Sequence, residues 1–181
     1  MLQRRLTRFP RSLLLSVAAL ALVGGASCAQ PAPVQSAARP GPDCVDDGPP
    51  QTGLPRERLT IQTARGPVRL NVQVAADDAT RQKGLMFVRS MPEDEGMIFD
   101  FHTPQRTAFW MHNTYIPLDL IFVDGQGRIA NIAHKAATCS DAPIPGQGLI
   151  RAVIEVNAGV AERLGIQPGD QVTGERIFPP R

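Results

Sequence analysis

Residues 59–74 read LTIQTARGPVRLNVQV, and this stretch is the clearest indication of the fold in the sequence. Apolar and polar side chains alternate over residues 59–63 and again over residues 68–74, which is the period of a strand with one buried face. The sequence Arg65-Gly66-Pro67 between the two segments is typical of a turn. The stretch therefore predicts a β-hairpin that packs one face against a core.

Further segments with the composition of short strands follow towards the C-terminus. Turn signals rich in glycine and proline separate them, and the helices predicted between them are too short to cover a parallel sheet. We therefore predict a single mainly β domain over residues 57–178, built as a sandwich or barrel with two short helices. The additional strands are expected at residues 97–101, 107–111, 118–123, 128–133, 149–156 and 171–177.

Capping residues define the two short helices in this prediction. Asp77 and Asp78 precede a first helix over residues 79–83, and Gly84 ends it. Asn157 is the expected cap of a second helix over residues 158–164, which Gly165 closes.

The charge of the chain is concentrated in its N-terminal segment. The whole chain has 19 basic and 17 acidic residues and a net charge of +2. Residues 1–28 hold four arginines and no acid, so the remainder carries 15 basic against 17 acidic residues. Because the folded part has no basic stripe, we expect no nucleic-acid partner.

The N-terminal segment has the pattern of an export signal. Four arginines precede an apolar run over residues 13–23, and small residues follow up to Cys28. The run is shorter than the roughly 20 residues that span a bilayer. We predict a signal peptide over residues 1–28 and a protein that faces the periplasm. Two processing routes remain open, acylation of Cys28 as in a lipoprotein and ordinary cleavage before Gln30 to give a soluble form.

A proline-rich segment links this signal to the domain. Residues 29–55 contain seven prolines and few apolar side chains, so we predict a disordered tether over residues 29–56. The tether contains Cys44, and the domain contains Cys139. In an oxidising compartment two remaining cysteines tend to pair, so a Cys44–Cys139 disulfide is expected, with two free thiols as the alternative.

Five short motifs follow one another along the body of the chain. They are Gly84-Leu85-Met86-Phe87, Glu95-Gly96-Met97-Ile98-Phe99, Phe109-Trp110-Met111-His112-Asn113-Thr114, Ile116-Pro117-Leu118-Asp119 and Glu155-Val156-Asn157-Ala158-Gly159. In this order they resemble the prokaryotic family called domain of unknown function 192, over roughly residues 58–176. The resemblance implies a mainly β, jelly-roll-like sandwich or barrel, often behind an export signal, and implies no activity. This chain departs from the family at His112, where lysine is usual, so a role for a primary amine is not expected there.

Polar residues beside predicted turns form the candidate ligand site. Asn113 and Asp119 flank one bend, Glu155 ends another strand, and Trp110 supplies an aromatic wall. Carboxylates, an amide and an aromatic ring at the mouth of a β-barrel suit a small polar ligand. Glu95, from an acidic cluster, is the fifth candidate. The alternative is that these polar groups only satisfy the backbone of turns while Trp110 belongs to the core.

The sequence carries no recognisable catalytic or cofactor motif. Methionines and histidines cluster between residues 86 and 112, but their spacing is irregular, so neither a metal nor a cofactor is expected. We expect a binding domain for a small polar ligand or a cell-envelope component, attached to the membrane only through its signal or a lipid. The alternatives are a hydrolase-type enzyme using Asp119, Glu155 or Glu95, and a structural partner of an envelope protein.

Overall fold

A computed structural model describes Cys44 and residues 47–180 of the chain. The predicted signal peptide over residues 1–28, the acylation of Cys28 and most of the predicted tether lie outside these residues. Within the described part, no helix is long and apolar enough to cross a membrane.

Nine strands and two short helices follow one another along the described residues. The mainly β class with two short helices is thereby confirmed. The strands predicted over residues 107–111 and 171–177 are shorter than expected, since they end at Phe109 and Gly174. The elements are β1 Arg56–Thr63, β2 Gly66–Ala75, α1 Asp78–Lys83, β3 Glu95–Gln105, β4 Ala108–Phe109, β5 Leu118–Asp124, β6 Ile129–Ala136, β7 Ile144–Pro145, β8 Ile150–Asn157, α2 Val160–Leu164 and β9 Gln171–Gly174.

Seven of these strands form one curled sheet. Their order is β6-β5-β8-β3-β2-β1-β9, and β4 pairs with β7 in a separate ribbon. The hairpin predicted over residues 59–74 is the β1–β2 pair, in which Leu59 lies opposite Leu70. Strands β2 and β3 run parallel, and the other paired strands run antiparallel.

The two edges of the sheet meet at one end. Arg128, just before β6, forms a bridge with Gln171 at the start of β9. The amide of Ile129 donates to the carbonyl of Asp170 over 3.0 Å, and the amide of Val172 donates to the carbonyl of Gly127 over 2.8 Å. These bonds occupy edge groups that would otherwise be open to another strand, and they join the two edges of the curled sheet at this end.

Apolar side chains cover both faces of the central strands. On the concave face, β1, β2 and β9 contribute to the first core together with the central strands. On the opposite face, β3, β5 and β8 bury a second set of side chains beneath residues 85–91 and 109–116. Burial on two faces explains why residues 118–123 are apolar almost without interruption. Representative members are Leu59, Val72, Ile121 and Ile154 in the first core and Met97, Phe99, Leu120 and Val153 in the second.

The first helix begins at Asp78, one residue before the predicted range, and ends at Lys83 as predicted. Asp77 is the N-cap of α1, its side chain accepts from the amide of Thr80, and the Thr80 hydroxyl accepts from the amide of Asp77 in return. This reciprocal arrangement is a capping box. Gly84 ends the helix.

The cap predicted for the second helix is wrong. Gly159, in the left-handed conformation, is the N-cap of α2 and has no side chain to cap it. The Asn157 side chain points elsewhere and donates to the carbonyl of Met91 over 2.8 Å. Gly165 closes the helix as expected.

Candidate functional site

The two central candidates of the sequence, Asp119 and Glu155, lie on adjacent strands but on opposite faces of the sheet. Residues directly opposite each other in an antiparallel pair share a face. Asp119 lies opposite Val156, whereas Glu155 lies opposite Leu120. Val156 belongs to the first core and Leu120 to the second. The structure therefore contradicts the expectation that Asp119 and Glu155 line one site.

Asp119 is a structural carboxylate. It is completely buried, and one oxygen accepts from the amide of Lys135 over 2.8 Å. The other accepts from the amides of Gly159 and Ala161 over 2.9 and 3.0 Å. The latter two are N-terminal amides of α2, which the helix itself leaves unpaired. Asp119 therefore replaces the missing cap of α2.

Glu155 is buried on the other face without a partner. It lies between Leu120 on β5 and Met97 on β3, both of which pair with it directly. Its residual exposure is 4%. Within residues 47–180, no hydrogen bond or ion pair reaches its carboxyl group. Burial raises the pKa of this carboxyl to about 8, because a charge there would be poorly solvated. At neutral pH, most of the Glu155 side chains are therefore protonated.

Two other buried acids differ from Glu155 because they have clear partners. Glu57 accepts from the amide of Arg176 over 2.8 Å with one oxygen, and its other oxygen is buried without a hydrogen-bond partner among the described residues. Asp100 forms an ion pair with Arg151 and accepts from the amide of His102 over 2.7 Å. These carboxyl groups bind neighbouring segments of the chain together.

Glu155 faces a cavity of about 200 Å³ on the convex side of the sheet. Helix α1 and the turn after it form one wall, and residues 107–114 form the other. Aromatic side chains dominate the second wall, since the Phe109 ring contacts the rings of Phe99 and Phe101 at centroid distances of 4.9 and 6.2 Å. The lining residues are Arg81, Gln82, Lys83, Gly84, Leu85, Met86, Phe99, Phe101, Thr107, Ala108, Phe109, Trp110, His112, Thr114 and Glu155.

Trp110 stands at the mouth of this cavity and is held in place. The indole is 46% exposed, and it stacks on the His112 ring with a centroid distance of 4.8 Å and an interplanar angle of 23°. His112 Nδ1 lies 2.6 Å from Asp141 Oδ1, which fixes the imidazole. Because Trp110 is exposed, the alternative that it belongs to the core is wrong.

The two cationic side chains of the cavity wall already have partners. Arg81 donates to the carbonyls of Ala76 and Asp100 over 2.6 and 2.8 Å and forms an ion pair with Asp78. Lys83 Nζ lies 4.1 Å from the centroid of the Phe87 ring, within range of a cation–π interaction. Neither of these two cations forms an ion pair with Glu155.

A second, wider depression adjoins the mouth. Its volume is about 450 Å³, and it shares Gln82, Lys83, Met86, Trp110 and His112 with the first cavity. Asn113, another candidate of the sequence, lines this depression. Trp110 and His112 therefore separate an inner cavity that ends at Glu155 from an outer, open one.

Glu95, the remaining candidate, lies outside the cavity lining. It is the first residue of β3, and its carboxylate forms an ion pair with Arg56 over 2.8 Å. This pair joins β3 to the start of β1.

A disulfide and a short segment brace the helical wall of the cavity from behind. Cys44 and Cys139 are bonded, with their Cα atoms 4.9 Å apart. Asp47 accepts from the hydroxyl of Tyr115 over 3.0 Å. The Gln51 side chain donates to the carbonyl of Gly84 over 2.8 Å. Residues 47–55, which the sequence assigns to the tether, therefore contact the domain behind the cavity.

Sequence reasoning missed most of the cavity wall. Phe99 and Phe101 alternate along β3 and share the face of Glu155, a signal that the sequence contains. Asp141 lies in a loop far from His112 along the chain, and only the fold brings the two together. Among residues 47–180, no group of three or more His, Cys, Asp or Glu side chains is placed to hold a metal ion.

Comparisons with known proteins agree with this architecture. A crystal structure of "a putative transcription regulator" from Sinorhizobium meliloti 1021 is 39% identical, covers 69% of this chain and 98% of its own, and superposes with a TM-score of 0.67. A protein of unknown function from Novosphingobium aromaticivorans DSM 12444 is 38% identical, with coverages of 77% and 94% and a TM-score of 0.67. The comparison with curated proteins gives no match.

The family assignment rests on the same region of the chain. The family DUF192, described as an uncharacterized ACR, matches residues 59–174. This range runs from β1 to the end of β9 and includes every strand of the curled sheet. The chain therefore belongs to the DUF192 family.

Proposed function

We propose that this protein is a binding domain for a small ligand, and that the ligand occupies the cavity above Glu155. One observation carries the proposal: Glu155 is almost fully buried, has no partner within residues 47–180, and faces an aromatic-walled cavity. An unpaired buried polar group costs on the order of 1–3 kcal/mol. A group that destabilises the fold by this amount and makes no stabilising contact in exchange is typical of functional sites.

The proposed setting of this domain is the cell envelope. The support is the sequence of residues 1–28, where four arginines precede an apolar run and small residues. In this proposal the mature protein faces the periplasm, free or attached through an acylated Cys28, and its ligand is a small polar molecule or a cell-envelope component.

A second candidate is a hydrolase-type enzyme at the same cavity. His112, oriented by Asp141, and the protonated Glu155 line one cavity. A histidine held by a carboxylate and a carboxylic acid with a pKa of about 8 are suited to general base and general acid roles near neutral pH. In this second candidate function, Glu155 is the catalytic acid, whereas the sequence left Asp119, Glu155 and Glu95 as alternatives.

A thermal-shift screen with a library of small metabolites tests the binding function. A ligand of the native state raises the melting temperature. We expect compounds that stabilise the wild type and fail to stabilise the Glu155→Leu variant. The matched control is Glu175→Gln, which changes an exposed glutamate outside the cavity. Compounds that stabilise wild type and Glu155→Leu equally would place the binding elsewhere, and a library without any hit would count against the function.

A further inference from the structure

The chemistry of the cavity also indicates the class of its ligand. We propose that the cavity takes a neutral, hydroxyl-bearing ring, a saccharide unit, which packs against Trp110 and shares hydrogen bonds with the Glu155 carboxyl group. This inference rests on the proposed binding function and specifies its ligand.

The charge of the cavity favours a neutral ligand. Arg81 and Lys83 are the cations of the wall, and both are already engaged, Arg81 by Asp78 and two carbonyls, Lys83 by the Phe87 ring. Glu155 is the one acid among the lining residues, and its raised pKa keeps most of it uncharged at neutral pH. A cation would therefore find no ionised carboxylate among the lining residues, and an anion would find only Lys83, whose ammonium already lies over the Phe87 ring.

The hydrogen-bonding capacity of Glu155 matches a hydroxyl group. A protonated carboxyl both donates and accepts, whereas a carboxylate only accepts. A hydroxyl has the same double capacity, so each group satisfies the other. Thr107 and Thr114, which also line the cavity, add hydroxyls of the same kind.

The aromatic mouth suits a ring with an apolar face. Trp110 is 46% exposed, although tryptophan side chains are highly buried on average. Its stacking on His112, which Asp141 orients, holds the indole in one position at the entrance. An aromatic ring that is fixed before binding offers a large contact area at little cost in conformational entropy.

The volumes indicate a small ring with room for an attached group. The inner cavity of about 200 Å³ is smaller than the roughly 300–1,000 Å³ typical of sites for drug-sized ligands. The outer depression of about 450 Å³ shares Trp110 and His112 with it. A single ring inside, with a second unit outside, fits this division.

The single tryptophan makes the test direct, because its fluorescence reports on the mouth of the cavity. The mature protein is titrated up to tens of millimolar with two neutral sugars, glucose and N-acetylglucosamine, and with two charged analogues, glucosamine and glucuronate. We expect a saturable change in emission with at least one neutral sugar and a response at least about tenfold weaker with the charged ones. Glu155→Leu should abolish the response, and Glu175→Gln should not affect it.

The pH dependence tests the role of the carboxyl. Arg81, Lys83 and His112 are the other titratable groups of the lining. If protonated Glu155 binds the sugar, affinity should be constant below about pH 7 and fall about tenfold per pH unit above its pKa of about 8. Glu155→Gln, an amide that also donates and accepts, should bind with a modestly changed affinity that lacks this decline.

Three outcomes would overturn the inference. Binding of glucosamine alone would assign the cavity to amines, and binding of glucuronate alone would assign it to anions. No response to either neutral sugar would remove the saccharide class. In each case, hits from the thermal-shift screen that depend on Glu155 would leave the binding function standing, so the two failures are distinguishable.

Discussion

Leu120 lies directly opposite Glu155 in the β5–β8 ladder, and this pairing places Glu155 on the convex face of the sheet. Asp119, one residue earlier, consequently lies on the concave face and is bound by three backbone amides. A shift of one position along the β5–β8 ladder thus separates a structural carboxylate from a carboxyl group that faces the cavity. The two residues are expected to respond in opposite ways to the same kind of substitution.

Asp119→Asn should destabilise the protein by about 1–3 kcal/mol. Its two oxygens accept three amide hydrogen bonds, and an asparagine NH₂ would face at least one of these donors. Chemical denaturation monitored by circular dichroism measures the change. Asp94→Asn, at an exposed position, is the control and should stay within about 0.5 kcal/mol of wild type. An equally small effect at Asp119 would refute its capping role.

Glu155→Gln should stabilise the protein progressively as the pH rises. The pKa of Glu155 is about 8 in the folded protein against the ordinary glutamate value of 4.5 in the unfolded chain, so the unfolded chain ionises first. Wild-type stability is unaffected below about pH 4.5, falls between about pH 4.5 and 8, and levels off above that range. The slope reaches at most about 1.4 kcal/mol per pH unit.

The measurement is a series of urea unfolding curves for wild type and Glu155→Gln at several pH values. Because the glutamine variant lacks the ionisation, the difference between the two proteins isolates this one group. A difference that is constant across the range would show that Glu155 ionises normally and would remove the main support for its unusual environment.

Reduction of the Cys44–Cys139 disulfide should lower stability by about 2–4 kcal/mol. The bond closes a sequence separation of 95 residues, and its loss also frees the segment that carries Gln51 against Gly84. Melting curves with and without a reductant measure the loss, and Cys139→Ser should reproduce it without reductant. Amide exchange at residues 84–88 should accelerate in both cases, and unchanged exchange there would argue against a brace behind the cavity.

Gln51→Ala should loosen the same wall while the disulfide stays intact. Its side chain donates to the carbonyls of Thr80 and Gly84 at the end of α1. We expect a loss of about 1 kcal/mol and faster amide exchange in the last turn of α1. An exchange rate equal to that of wild type would show that the segment before β1 is dispensable for this wall.

Cell fractionation and the measurement of the intact protein mass test the proposed location in the cell envelope. Because residues 1–28 have the pattern of an export signal, the protein should be found in the envelope without them. An added lipid mass on Cys28 would identify the lipoprotein form, and an N-terminus at Gln30 the soluble one. A cytoplasmic protein that retains residues 1–28 would contradict the prediction.

Local sequence patterns determined much of the fold. The alternation over residues 59–74 predicts the β1–β2 hairpin, and Asp77 with Gly84 predicts both ends of α1. These features depend on side-chain period and on caps within a few residues, so neighbouring residues suffice to specify them. The cap of α2 could not be predicted in this way, because Asp119 supplies it from β5, which is distant from α2 along the chain.

The site depended on tertiary structure. The sequence shows which residues share a face within one strand, but not how one strand is aligned with the next. Shifting a strand by one residue moves every side chain to the other face of the sheet. The register of β5 against β8 therefore decided that Asp119 and Glu155 lie on opposite faces of the sheet. The crossing of residues 107–114 over that face brought Trp110 and His112 to Glu155, because both core packing and loop closure act between residues far apart in the chain.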